Sequence, residues 1–196
     1  MRESPWVEAL GSDLERLHPR LRAYFGTIPE GSIGHGRGVF DVVGTPRRWL
    51  WPLVALLSLD AVLFPVWERD VPFRVRNAPV DGRVDALRRF EFARGARTMV
   101  DSTSFEGALV DRLGRRGLIS AQLVARVRDG MLVLESSRTR VLGIPVPVAL
   151  SPRITLIERW DDAAERQHVS LVLDAPLIGR LYEYSGHFDY RVVAHD

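Results

Sequence analysis

The chain has 196 residues, a formal net charge of +2 and 46% hydrophobic residues, which is typical of one globular domain. It has no cysteine, which excludes disulfides, thiolate nucleophiles and cysteine-ligated metal centres. It has no lysine either, so all 27 basic residues are arginine, and Schiff-base lysines and the P-loop lysine are also excluded. The arginines are scattered among 25 acidic residues and form no basic stripe, so we expect no nucleic-acid partner.

The first two predicted elements are a helical N-terminus and a glycine-rich strand. Apolar residues at spacings of three and four predict an amphipathic helix within 1–25, and the acidic residues there argue against a signal peptide. We therefore expect a cytoplasmic protein. A first strand is predicted over 32–43, with glycine at alternate positions: Gly34, Gly36 and Gly38. This spacing is not a dinucleotide fingerprint, and it favours a sharp bend at a barrel corner or the close approach of a helix or ligand.

The most apolar stretch, 49–67, falls largely within a predicted helical segment over 47–66. Pro52, Asp60 and Pro65 interrupt it, which argues against a membrane-spanning helix. We favour a helix that covers the sheet. The alternative is a half-exposed lid that contacts an apolar ligand, or a membrane surface as a peripheral contact through 49–67.

The rest of the chain, 71–193, consists of short alternating segments separated by turn signals, which predict antiparallel strands with short connections. About ten such strands must curl or close, since an open sheet would expose a large apolar face. We therefore predict a mainly β fold in one domain. It is a lipocalin-like antiparallel barrel or strongly curled sheet, with an N-terminal helix and an apolar lid or plug. A helix-grip α+β fold is the alternative.

The last strand indicates the character of the interior, because its aromatic residues alternate with polar ones and so share one face. Such a wall either packs a core or lines a cavity, where tyrosine hydroxyls supply a few polar contacts. Together with other aromatic, arginine and methionine residues, this wall gives the predicted ligand-binding set: Arg37, Trp49, Trp51, Arg69, Phe90, Phe92, Met99, Phe105, Trp160, Tyr182, Tyr184, Phe188 and Tyr190.

Catalytic signals are weak. The sequence contains no G-x-S-x-G elbow, and its five histidines are far apart with no helical pair, so we predict no metal site and no cofactor. If Glu91 faced the barrel interior, it could act as a proton-transfer base. If its neighbours Phe90 and Phe92 face the interior instead, Glu91 is an ordinary outward-facing residue. The acid/base candidates are Asp41, Glu91, His35 and Tyr184.

Five blocks carry a family resemblance that spans nearly the whole chain: Gly36–Asp41, Arg69–Phe73, Arg89–Phe92, Val110–Gly114 and Tyr184–Phe188. Together they resemble the bacterial family known as domain of unknown function 4166. The resemblance implies no established activity and no catalytic residue. Members also occur fused to NAD(P)-binding, saccharopine-dehydrogenase-like oxidoreductases. The resemblance therefore implies a companion role in small-molecule metabolism beside a partner oxidoreductase.

Three functions remain open from the sequence. The first is binding of a hydrophobic small molecule or lipid-like metabolite in a barrel cavity. The second is a cofactor-independent cyclase or isomerase that acts on a polyketide- or terpenoid-like substrate by acid/base chemistry. The third is a non-catalytic, partner-binding domain of an oxidoreductase system. A purely apolar cavity would favour binding, whereas a buried carboxylate or histidine in its wall would favour catalysis.

Overall fold

Residues of alternating polarity form one antiparallel sheet of twelve strands in the computed structural model, which describes residues 3–195. The strands are β1 (Ser32–Gly44), β2 (Trp67–Glu68), β3 (Val71–Val80), β4 (Arg83–Phe92), β5 (Gly95–Phe105), β6 (Leu109–Leu113), β7 (Ile119–Arg128), β8 (Met131–Val141), β9 (Ile144–Pro145), β10 (Arg153–Asp161), β11 (Arg166–Ala175) and β12 (Gly179–Ala194).

Within residues 3–195, ten of these strands close into a barrel. The order β1-β3-β4-β5-β6-β7-β8-β10-β11-β12 returns to β1, because β8 pairs with β10 and β12 pairs with β1. The two-residue strands β2 and β9 are additions at β1 and β8. Closure removes the free edges that an open sheet would expose, and the predicted lipocalin-like barrel is confirmed.

Two short helices cover one end of the barrel, which we call the floor. They are α1 (Pro5–Leu10) and α2 (Pro19–Phe25), separated by a 3-10 segment (Gly11–Arg16). Proline begins both helices, where its missing N–H has no cost. Leu17, Leu21 and Phe25 are buried against the barrel, and the His18 amide donates to the Gly130 carbonyl at the β7–β8 turn (2.9 Å).

Helix α3 (Trp51–Ser58) lies at the opposite end, the mouth, after a 3-10 turn (Arg48–Leu50). Helical structure thus covers only the first part of the predicted 47–66 segment. It ends at Ser58 because the chain turns through Ala61, whose φ is 60°, and then reaches Pro65. Among the described residues, no helix is long and apolar enough to cross a membrane.

The glycines of β1 face the barrel interior and allow bulky neighbours to approach. A Cβ at Gly34 would overlap the Tyr190 ring, and one at Gly38 would overlap the backbone of His187 and Phe188. The alternate glycines therefore accommodate the neighbouring strand β12, and not a helix or a ligand.

Candidate functional site

The barrel encloses a cavity of about 270 Å³ between floor and mouth. Helix α3 lies across its mouth, and Leu50, Leu53 and Leu57 line the cavity from there. The loop between β9 and β10 also lines it, through Val146 and Pro152. Further apolar lining comes from the mouth ends of β6–β8 and β10–β12: Leu113, Ile119, Val141, Ile154, Leu171, Leu173 and Leu181.

Polar groups interrupt this wall deeper in the barrel. They are contributed by β4, β5, β6, β8 and β10, and they comprise Arg88, Asp101, Thr103, Asp111, Thr139 and Glu158. Four of them carry ionisable side chains. The cavity is therefore amphipathic, with an apolar mouth and a partly polar interior.

Arg88 and Asp101 form an ion pair on the inner wall. The Asp101 side chain is only 3% exposed, and the 19% exposure of Arg88 belongs to a side chain that lines the cavity. Asp111 lies on the neighbouring strand and accepts a hydrogen bond from the Thr103 hydroxyl (3.3 Å). The Arg88 guanidinium thus interacts with several carboxyl groups on the inner wall of the barrel.

Glu158 is the most deeply placed titratable side chain on β10, at 5% exposure. Its carboxyl accepts a hydrogen bond from the Gln167 amide. Burial raises the pKa of Glu158 to about 7, against the opposing effects of Gln167 and Arg88. Burial also raises the pKa of Asp111 to about 6, although Arg88 and Thr103 lower it. Both carboxyl groups can therefore exchange a proton near neutral pH.

Two tyrosine hydroxyls complete the polar lining. Tyr24 comes from α2 at the floor, and Tyr184 comes from β12. Burial raises the pKa of Tyr24 to about 12 and raises that of Tyr184 further. Both hydroxyls remain protonated at neutral pH and are available as hydrogen-bond donors.

Thr139 also lines the cavity, and its hydroxyl has no hydrogen-bond partner within the described part of the chain. Thr139 is 8% exposed, so this oxygen is largely removed from solvent. Buried polar groups in native proteins are normally satisfied, so the Thr139 hydroxyl lacks a bond that such a group usually makes.

The predicted ligand-binding residues fall into three groups. Met99 and Tyr184 line the cavity. The aromatic face of β12 does point inward, but Tyr182 and Phe188 are packed in the core with Phe90 and Phe92. The third group lies outside the cavity lining and contains Arg37, Trp49, Trp51, Arg69, Phe105, Trp160 and Tyr190.

Three residues of this third group lie in other surroundings. Trp49 is 62% exposed beside α3, and Trp160 stacks on His18 at a ring separation of 5.7 Å. Tyr190 covers Gly34, and its hydroxyl accepts a hydrogen bond from the Asn77 amide (3.3 Å).

Three of the four acid/base candidates lie on the outer surface. Glu91 pairs with Arg89 there (2.7 Å), since Phe90 and Phe92 occupy the interior face of β4. His35 and Asp41 are exposed on β1. Tyr184 is the candidate that lies at the cavity.

Sequence reasoning missed the charged cavity residues, namely Arg88, Asp101, Asp111 and Glu158. They can be found from the alternation along each strand, because every second residue faces the same side of the sheet. Arg88 has the parity of Ala86 and Phe90, and Glu158 has that of Leu156. A charged residue that shares the inward face of a strand with apolar residues is itself a candidate site residue.

The closed antiparallel barrel and its amphipathic cavity define a lipocalin-like class of β-barrel. Residues 17–188 match the model of the family described as Domain of unknown function (DUF4166), and the chain belongs to that family. The resemblance of the sequence blocks is thus confirmed. Searches of curated proteins and of solved structures found no match.

Proposed function

We propose that this protein binds a small, mainly apolar molecule that carries a hydroxyl or carbonyl group. The observation that carries the proposal is the amphipathic cavity, in which apolar residues of the mouth lead to hydrogen-bonding groups deeper in the barrel. Its volume of about 270 Å³ is just under the range of about 300–1,000 Å³ that ligand pockets occupy, so the ligand is compact.

The charges that line the cavity indicate that the polar group of the ligand is neutral. Arg88 is already paired with Asp101, and the remaining ionisable groups of the cavity are carboxyls. An anionic ligand would therefore meet more negative than positive charge in a medium of low dielectric. A neutral hydroxyl or carbonyl can instead bond to Tyr184 or a protonated carboxyl group.

Binding can be measured with a neutral apolar fluorophore, N-phenyl-1-naphthylamine, and with the anionic 8-anilinonaphthalene-1-sulfonate for comparison. We expect the neutral probe to bind more tightly. Ala121→Phe should abolish its binding, because Ala121 lines the cavity and is fully buried. Val124→Phe is the matched control on the outer face of the same strand. Equal binding to the two variants would contradict a site inside the barrel.

Proton transfer on the bound molecule is the second candidate function, and Glu158 favours it. A carboxyl group with a pKa of about 7 can both donate and accept a proton at neutral pH. Placed beside a bound carbonyl compound, it could move a proton at the adjacent carbon. This is the step that a cofactor-independent isomerase or cyclase of polyketide- or terpenoid-like substrates needs.

Deuterium exchange can separate catalysis from simple carriage. Small apolar ketones would be incubated with the protein in D₂O, and loss of their α-hydrogen signals followed by NMR. Catalysis predicts exchange that Glu158→Gln abolishes while N-phenyl-1-naphthylamine binding is retained. Exchange that is unchanged in Glu158→Gln, or no faster than without protein, would leave carriage as the function.

A further inference from the structure

A second group of functional side chains lies on the outer surface of the barrel, where β1, β12 and β11 run side by side. His168 on β11 is directly opposite His187 on β12. Asp41 on β1 reaches the same place because of a β-bulge. The register passes from Phe40↔Gly186 to Val42↔Ser185, which leaves Asp41 as the extra residue.

The three side chains are close enough to share one ion. One ligand atom from each of Asp41, His168 and His187 lies within 4.8 Å of the others, and the two imidazole rings are 4.7 Å apart. Asp41 is exposed, whereas the two histidines are half-buried. Two atoms bound to the same zinc ion are at most about 4 Å apart, so small rotations of these side chains are enough to complete the geometry.

Asp161 supports this arrangement from the end of β10. Its Oδ2 lies 3.2 Å from Nε2 of His187, and its Oδ1 accepts hydrogen bonds from the Ala163 and Ala164 amides. A carboxylate held beside an imidazole is the usual companion of a metal-binding histidine, because it fixes the ring orientation. Arg159 opposes a cation here, since its Nη2 lies 3.2 Å from the same Asp161 oxygen.

We propose that Asp41, His168 and His187 bind a divalent transition-metal ion, with Asp161 as a positioning residue for His187. Two imidazoles and a carboxylate suit Zn²⁺ and neighbouring first-row ions, whereas Ca²⁺ and Mg²⁺ prefer oxygen ligands alone. Three protein ligands leave a coordination position for water or another small ligand. The site is on the opposite side of the wall from the cavity, since Arg159 points outward and Glu158 inward.

Calorimetric titration with ZnCl₂ tests the site on the full chain. We expect one Zn²⁺ per chain, and we expect His168→Ala and His187→Ala each to remove this binding. His35→Ala is the matched control, because His35 is an exposed histidine on the outer face of β1 that is outside the cluster. Retained binding in both cluster variants, or loss in His35→Ala, would overturn the proposal. So would the absence of binding by the unmodified chain.

Two further readouts separate metal ligation from a structural effect. Co²⁺ bound by mixed nitrogen and oxygen ligands absorbs visible light, and this band should weaken and change position in Asp41→Ala while the far-UV circular dichroism stays unchanged. Asp161→Asn should weaken Zn²⁺ binding by roughly 10–100-fold, as loss of a supporting carboxylate does. A Co²⁺ band of unchanged position and intensity in Asp41→Ala would exclude Asp41 as a ligand and so contradict the three-residue site.

Discussion

Arg88 and Asp101 pair diagonally across two neighbouring strands. In the β4–β5 register Arg88 lies opposite Met99, and Asp101 lies opposite Ala86, two residues further along. Because Ala86 is small, the guanidinium can lie along the inner wall and reach the carboxylate. The pair places fixed charges of both signs inside a barrel whose mouth is apolar.

Breaking this pair should destabilise the fold. Arg88→Met leaves Asp101 without its cation in a buried position, which we expect to cost about 3–5 kcal/mol. The neighbouring Arg89→Met is the control. Arg89 pairs with Glu91 on the outer surface, where loss of an exposed pair costs under about 1 kcal/mol. Urea unfolding measures both, and equal losses in the two variants would contradict a special role for the inner pair.

The raised pKa of Glu158 makes stability depend on pH. The folded pKa of about 7 exceeds the ordinary value of 4.5, so the native state holds an extra proton between these values. Its contribution to stability is fully present below pH 4.5 and is lost as the pH rises through 7. The loss is on the order of 3 kcal/mol.

Glu158→Gln should flatten this dependence, because glutamine keeps the shape but does not titrate. Urea unfolding across the same pH interval is the measurement. Glu91→Gln, on the outer face, serves as the control and should leave the slope unchanged. An unaltered slope in Glu158→Gln would mean that another group carries the proton; Asp111 titrates nearby and would be the next carboxyl to replace.

The fold can be predicted from the sequence, whereas the site cannot. Turn signals and alternating polarity identify the strands, and closure of about ten antiparallel strands leaves few possible architectures. The position of Asp101 beside Arg88 depends on a diagonal contact, and that contact depends on pairing register. Likewise, Asp41 joins His168 and His187 through a bulge. The sequence separates these three residues widely and does not display the extra residue that brings them together.

Gly34→Ala should destabilise the barrel, because its Cβ would overlap the Tyr190 ring. Overpacking of this kind costs about 1–3 kcal/mol. If the clash is the cause, the cost should largely vanish in a Tyr190→Ala background, where the ring is absent. A double-mutant cycle of unfolding free energies measures this coupling, and additive effects of the two substitutions would show that the clash with the ring is not the cause.

The mouth of the barrel presents apolar side chains to solvent, which is consistent with a peripheral membrane contact through 49–67. Trp49 is 62% exposed and Leu56 is 64% exposed, and Arg47 and Arg48 precede them. We expect co-sedimentation with vesicles that contain anionic lipid, through burial of the apolar side chains and attraction of the arginines. Trp49→Ser with Leu56→Ser should abolish it. Leu87→Ser, on the side wall of the barrel, is the control and should retain it. Co-sedimentation that survives the double substitution would place the contact elsewhere on the surface.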